Sequence, residues 1–177
     1  RVYDVLLILT GSLLIGVCAQ VSFVLPFSVV PITGQTFAVL VVAMLLGSKR
    51  GSLSVLVYLV QGAAGLPVFS MGRFGAAHLF GPTGGYLSGF VFAAYAVGLL
   101  AENRWDRKVI TTIMAMVLGN LVIYTFGLLW LGFYIGFDKK ILLTGLYPFI
   151  PGDIFKILLA SGILPAGWKI TDYFKSK

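Results

Sequence analysis

Long apolar runs broken by glycine, proline and charge organise this chain. A first run, residues 5–25, ends at Pro26 and the 31–34 stretch. A second, 36–46, stops at residues 47–51, which carry Lys49 and Arg50, and a third covers 53–64. After Gly65, Leu66 and Pro67 comes a glycine-rich connection through Met71, Gly72, Arg73, Gly75 and Gly81 to Gly85. A fourth helix is predicted over 86–101, a fifth over 109–134 and a sixth over 154–168; the most polar loop is 102–108, and another connection is bounded by 138–140 and 148–152. The second and third runs fall short of the roughly 20 residues of a full span, so their ends must lean on neighbouring protein or begin inside the preceding loop. The pattern predicts one domain over 1–177: an all-α integral membrane protein, a compact bundle of six transmembrane helices.

Composition agrees. Of the 177 residues, 59% are hydrophobic and 11% charged, against about a quarter charged in soluble domains. The net charge of +7 is not clustered on a polar face but spread through short loops, which argues against nucleic acid and makes it a topology signal. One side of the six-helix scheme receives Arg1, Lys49, Arg50, Arg104, Arg107, Lys108, Lys169, Lys175 and Lys177; the other receives Arg73, Lys139 and Lys140. This bias puts both termini in the cytoplasm, with outward-facing loops at about 26–35, 65–85 and 135–152. No cleaved signal peptide is expected, because the first apolar run is followed by others without a convincing small-residue cleavage site.

Several chemistries are excluded. Without a G-x-x-x-x-G-K-[ST] loop the chain cannot cradle nucleotide phosphates, so it does not hydrolyse ATP alone. With Cys18 and His78 each the only residue of its type, and no H-E-x-x-H, neither a self-contained zinc site nor a Cys–His pair is expected. Cys18 reads as a buried, inert thiol, and His78 as a solvated or packed loop residue.

The strongest polar feature is Pro151-Gly152-Asp153-Ile154-Phe155-Lys156. Proline opens a helix, the acid falls in its first turn, and Asp153 and Lys156, three apart, share a face. Either the pair merely stabilises a helix start or it faces a cavity, as ionisable groups in membrane helices usually do. Asn120 lies inside the fifth run with Tyr124 one turn later; its amide needs partners, whether from a neighbouring helix or a ligand. Arg73 is a basic residue suited to an anionic group, or else simply solvated. Thr33, Gln35 and Thr36 offer further donors and acceptors, or capping groups. Ser12 and Gly16 place two small groups on one helix face, for packing within the chain or against a partner.

Four ordered motifs, Val30-Pro31-Ile32-Thr33-Gly34-Gln35-Thr36, Gly65-Leu66-Pro67-Val68-Phe69, Gly81-Pro82-Thr83-Gly84-Gly85-Tyr86 and Pro151-Gly152-Asp153-Ile154-Phe155-Lys156, resemble the BioY family. Its members are the biotin-specific S components of energy-coupling factor transporters. The resemblance implies high-affinity biotin binding at the outer side of a prokaryotic cytoplasmic membrane. It also implies association with a transmembrane coupling subunit (EcfT-like) and two ATPase subunits, and no cofactor or enzymatic activity. Biotin offers two ureido N–H donors, one carbonyl acceptor and a carboxylate tail. Asp153 would accept from the ureido group, while Asn120 and Tyr124 would bond its carbonyl. Arg73 or Lys156 would receive the carboxylate, with Gln35, Thr36 and Tyr86 completing the site. Ser12 and Gly16 stand where the family's small-residue docking face is expected. Rival readings are an S component for another small vitamin, a structural membrane subunit, and an intramembrane enzyme with Asp153 as base.

Overall fold

The computed structural model describes residues 2–175; Arg1 and Lys177, which entered the charge comparison, lie outside them. Seven helices succeed one another: α1 Val2–Gln20, α2 Gln35–Ala63, α3 Ala76–Leu79, α4 Gly84–Glu102, α5 Val109–Ile135, α6 Lys140–Gly145 and α7 Ile150–Lys175. Among the described residues, five helical stretches are long and apolar enough to cross a membrane. One of them, α2, breaks at Gly47 (φ 79°, ψ 179°) into two arms, so the bundle has six passes.

The break is a full reversal. A Cβ built on Gly51 would lie 2.7 Å from the Cα of Ala43, an approach that a straight helix forbids for residues eight apart. Gly47 occupies backbone space that is essentially glycine-only. Reversal leaves the first N–H of the second arm without an intrahelical partner, and the carboxylate of Glu102 supplies one: its Oε1 accepts from Ser48 N at 2.8 Å and Ser48 Oγ at 2.7 Å. The expected 47–51 linker is therefore a single residue, and Lys49 and Arg50 are helical.

Other boundaries moved too. The first run was expected to be helical to residue 25, but α1 ends at Gln20. The chain then turns extended, pairing β1 (Ser22–Phe23) antiparallel with β2 (Ile32–Thr33). Pro26 and the residues around it favour this small ribbon over continued helix. At the far end α7 starts four residues earlier than expected, with Pro151 in its first turn, and runs on through Pro165 to Lys175. Cys18 is partly rather than fully buried.

α4 is the central helix, with Ala93, Ala94 and Val97 fully buried against Leu40 and Met116 of its neighbours. The outside is apolar instead of polar, with Leu13, Phe92, Leu121 and Leu158 exposed, as contact with lipid requires. Ser12 and Gly16 do not sit on that outer face. Ser12 is fully buried and its hydroxyl donates to Gln61 Oε1 at 3.2 Å, while Gly16 faces Val68 and Tyr58. The small-residue face of α1 therefore packs within the chain, and Leu6, Leu13 and Val17 are what α1 turns outward.

Replacing Gly47 by alanine should cost about 1–3 kcal/mol. A thermal melt of purified protein in detergent should show a lowered midpoint, whereas Gly162→Ala in α7, where a Cβ meets nothing within 4 Å, should leave it unchanged or raised. Equal midpoints for the two variants would contradict the reversal at Gly47.

Candidate functional site

The connections 21–34, 64–83 and 136–149 gather at one end of the bundle, cross-tied by side chains. Gln20 Nε2 donates to the carbonyls of Val68 and Phe69 at 3.4 and 3.1 Å, and its Oε1 accepts from Gly72 N at 3.0 Å. Ser28 Oγ donates to Thr144 O at 2.7 Å, and Tyr86 OH to Gly145 O at 2.7 Å. The basic turns at Lys49, Arg50 and 104–108 lie at the opposite end with the start of α1, where Arg50 meets Asp4 at 2.6 Å.

Beneath the tied connections lies a cavity lined by Thr33, Gln35, Thr36, Tyr86, Tyr124 and Lys156, with Val30, His78, Phe90 and Phe149 completing its wall. Only about 40 Å³ of it is open to water-sized groups, far below the roughly 300 Å³ of a small-molecule pocket. In this closed form the connections must part before a ligand enters.

The polar core of the site is one network. Lys156 Nζ donates to Thr36 Oγ1 at 2.9 Å and to Asp153 Oδ1 at 3.2 Å, and Tyr124 OH donates to Asp153 Oδ2. The two charged side chains are only 8% and 15% exposed for Asp153 and Lys156. Helical spacing makes this possible, since positions 153, 156, 160 and 164 form the inward stripe of α7. Gln35 has its amide committed, with Nε2 donating to Tyr58 OH and Oε1 accepting from Thr33 Oγ1 at 3.0 Å. It braces the two arms of α2 against each other. Tyr86 has likewise given its hydroxyl to Gly145, so its ring, not its OH, faces the cavity.

Three expected residues stand apart from the lining: Asp153, joined to it through Lys156 and Tyr124, and then Asn120 and Arg73. Asn120 lies one turn along α5 from Tyr124, 8% exposed, and its amide oxygen has no hydrogen-bond partner among the described residues. Such buried acceptors are rare and costly. Arg73 is exposed in the connection after α2. It still acts on the cavity wall, because burial first and then the positive field of Arg73 lower the pKa of His78, which stacks on Phe69 with ring centroids 4.9 Å apart.

Of the aromatic wall, sequence reasoning named Tyr86 and Tyr124 but missed Phe149. Phe149 sits 6.4 Å from Tyr86 and 6.3 Å from Tyr124 between ring centroids, and Tyr86 and Tyr124 meet edge to face at 6.4 Å. Its signal was a phenylalanine set among turn residues, Tyr147-Pro148-Phe149, where a solvated loop has no use for one. His78 was seen, but as a solvated or packed loop residue and not as part of a wall.

Comparison with known proteins identifies the family. The model of the BioY family matches residues 1–173, and the chain belongs to that family. The biotin transporter BioY of Thermotoga maritima is 39% identical over 87% of this chain and 88% of its own length. The probable biotin transporter BioY of Pyrococcus horikoshii is 42% identical over 83% and 85%. Among solved structures, the S-component for biotin from an ECF-type ABC transporter superposes with a TM-score of 0.84 at 28% identity, covering 95% of this chain and 92% of that one.

The ion pair gives a test independent of any ligand. Lys156→Met would leave the Asp153 carboxylate buried with only Tyr124, a loss of about 3–5 kcal/mol for a broken buried pair. The double variant Asp153→Asn, Lys156→Met removes both charges and should melt above Lys156→Met alone in detergent. A double variant less stable than either single would mean that the two residues do not form a unit.

Proposed function

We propose that this member of the BioY family is the biotin-binding subunit of an energy-coupling factor importer, with biotin held in the cavity beneath the three tied connections. The observation that carries the reading is the buried Asp153–Lys156 pair, whose lysine lines that cavity beside Tyr124. A neutral ureido ring suits it, with N–H groups donating to the Asp153 carboxylate and the carbonyl accepting from the Lys156 ammonium. The unpartnered Asn120 oxygen is a second buried acceptor for an N–H. Phe149, Tyr86, Tyr124 and Phe90 would enclose the thiophane ring.

This assigns the carboxylate. Lys156 already has Asp153 at 3.2 Å, so a ligand carboxylate there would meet a like charge in a poorly solvated place. Arg73, near His78 at the cavity wall and without a carboxylate partner among the described residues, is the better receiver. The bicyclic head then points into the bundle and the valerate tail toward the connections.

On this reading the site end faces outward and the basic end, with the start of α1, lies in the cytoplasm of a prokaryotic cell, an orientation that the lysine and arginine bias supports. The chain is a transporter subunit with no enzymatic role. A transmembrane coupling subunit and two ATPases would supply the energy, and the outward apolar face of α1, not Ser12 and Gly16, is the surface of α1 free to meet them.

Calorimetric titration tests the site. Asp153→Asn should weaken biotin binding about 10- to 100-fold, the loss of a charge-assisted hydrogen bond. Unchanged affinity would remove Asp153 from the site. The orientation is tested separately: wild-type protein should prefer biotin to its methyl ester by about tenfold, and Arg73→Gln should abolish that preference by weakening biotin alone. If Lys156→Gln abolishes it and Arg73→Gln does not, the ligand is reversed.

A further inference from the structure

At the end of the bundle away from the cavity, the reversal between the two arms of α2, the end of α4, the turn after it and α7 border a recess of about 520 Å³. Its lining is charged, and most of the charges are engaged. Glu102 caps Ser48. Arg50 pairs with Asp4 at 2.6 Å, and Arg107 lies 3.8 Å over the ring of Trp168 while its Nη1 meets Asp172 at 3.2 Å. Lys49 and Arg104, both exposed, line the recess without a salt bridge among the described residues, Lys49 lying only in the longer-range field of Glu102.

The recess also holds an orphan. The Asp106 carboxylate is 3% exposed; its Oδ2 accepts from Trp168 Nε1, but Oδ1 has no hydrogen-bond partner, the nearest cation being Arg107 Nε at 4.0 Å. A buried carboxylate oxygen lining a recess calls for a donor. Two exposed cations without salt bridges beside one unsatisfied acceptor describe a ligand with an anionic group and, a short distance away, an N–H or O–H.

The apolar rim says where such a ligand comes from. Leu45, 50% exposed, belongs to the recess, and Trp168 closes it at the level where the spans end, the depth at which tryptophan marks a membrane interface. We infer that the recess binds the headgroup of a membrane phospholipid. Its phosphodiester sits between Lys49 and Arg104, its terminal hydroxyl or ammonium donates to Asp106 Oδ1, and its acyl chains leave past Leu45. Basic pockets between spans on the cytoplasmic side are suited to such headgroups. The inference does not depend on what the cavity at the other end holds.

The test uses the full chain in a neutral detergent, titrated with phosphatidylglycerol, phosphatidylethanolamine or phosphatidylcholine of the same acyl chains, with retained lipid counted by native mass spectrometry. One phosphatidylglycerol should be retained per chain, with about tenfold preference over phosphatidylcholine, whose headgroup lacks a donor; phosphatidylethanolamine should also exceed phosphatidylcholine. Lys49→Gln with Arg104→Gly should reduce retention about tenfold, glycine being chosen because Arg104 has φ 63°. Lys49→Arg with Arg104→Lys keeps both charges and should retain lipid, guarding against a mere folding defect. Asp106→Asn should erase the preference between phosphatidylglycerol and phosphatidylcholine. Equal retention of the two lipids by the wild type, or retention indifferent to the charge-removing variants, would overturn the inference. Competition by glycerol 1-phosphate as strong as by the lipid would overturn it in favour of a soluble phosphate.

Discussion

A carboxylate and an ammonium share the interior of a helix bundle, and the geometry of the site follows from keeping them satisfied. Neither Asp153 nor Lys156 can stay charged in so little solvent without partners close at hand. Their three-residue spacing on α7 brings them together, but the pair has more hydrogen-bonding capacity than it uses on itself. Tyr124 from α5 and Thr36 from α2 take up part of the rest. One network thus ties three helices to each other around the cavity and holds each polar atom where a ligand can meet it. Since the pair is close to electrically neutral as a unit, it favours a ligand group that both donates and accepts without carrying charge.

The opposite end of the bundle meets a different constraint, that of turning a helix back on itself in a short distance. Gly47 makes the turn, Gly51 lets the second arm pass close to Ala43, and Gly98 lets α4 reach the Ser48 backbone. Compactness here exposes a helix N-terminus, and Glu102 caps it from α4. Close glycine contacts serve the site end as well, where Gly127 and Gly85 admit the Tyr86 ring and Trp130, so what distinguishes the basic end is the reversal itself and its cap.

The parts of this arrangement legible in the sequence are those that obey a local rule. Apolar runs mark spans because lipid offers backbone groups no partner, and the Asp153-to-Lys156 spacing puts both on one helical face whatever surrounds them. Tyr124 followed from its place one turn after Asn120. What was not legible depends on tertiary partners. Nothing local to Gln35 says that its amide will be used up on Tyr58 and Thr33, nor that Tyr86 will spend its hydroxyl on Gly145. Ser12 and Gly16 carry the spacing of a packing face, but spacing alone does not say which neighbour that face meets. The α1 boundary failed for a related reason: Val21 to Leu25 are apolar enough for a span, and only pairing with residues 32–33 makes them extended.

Closure of the cavity is held by few interactions. The connections rest on the Gln20 amide and the Ser28 and Tyr86 hydroxyls, which fasten the segments at 68–72 and 144–145, and on Trp130 and Tyr134, which donate to the carbonyls of Gly81 and Phe80. Each neutral hydrogen bond contributes about 0.5–1.5 kcal/mol net, so opening this end costs far less than separating the helices beneath it. The acid–base network lies deeper, on α5, α7 and the first arm of α2, and does not share these ties. A ligand can therefore part the connections without loosening the groups that recognise it, and once bound it adds its own contacts to a lid that few bonds hold shut. Reopening then costs the lid's own few bonds together with the contacts the ligand has added. On the proposed importer reading, the apolar outer face of α1 and the basic end are the surfaces on which a partner would act, both remote from the recognition network.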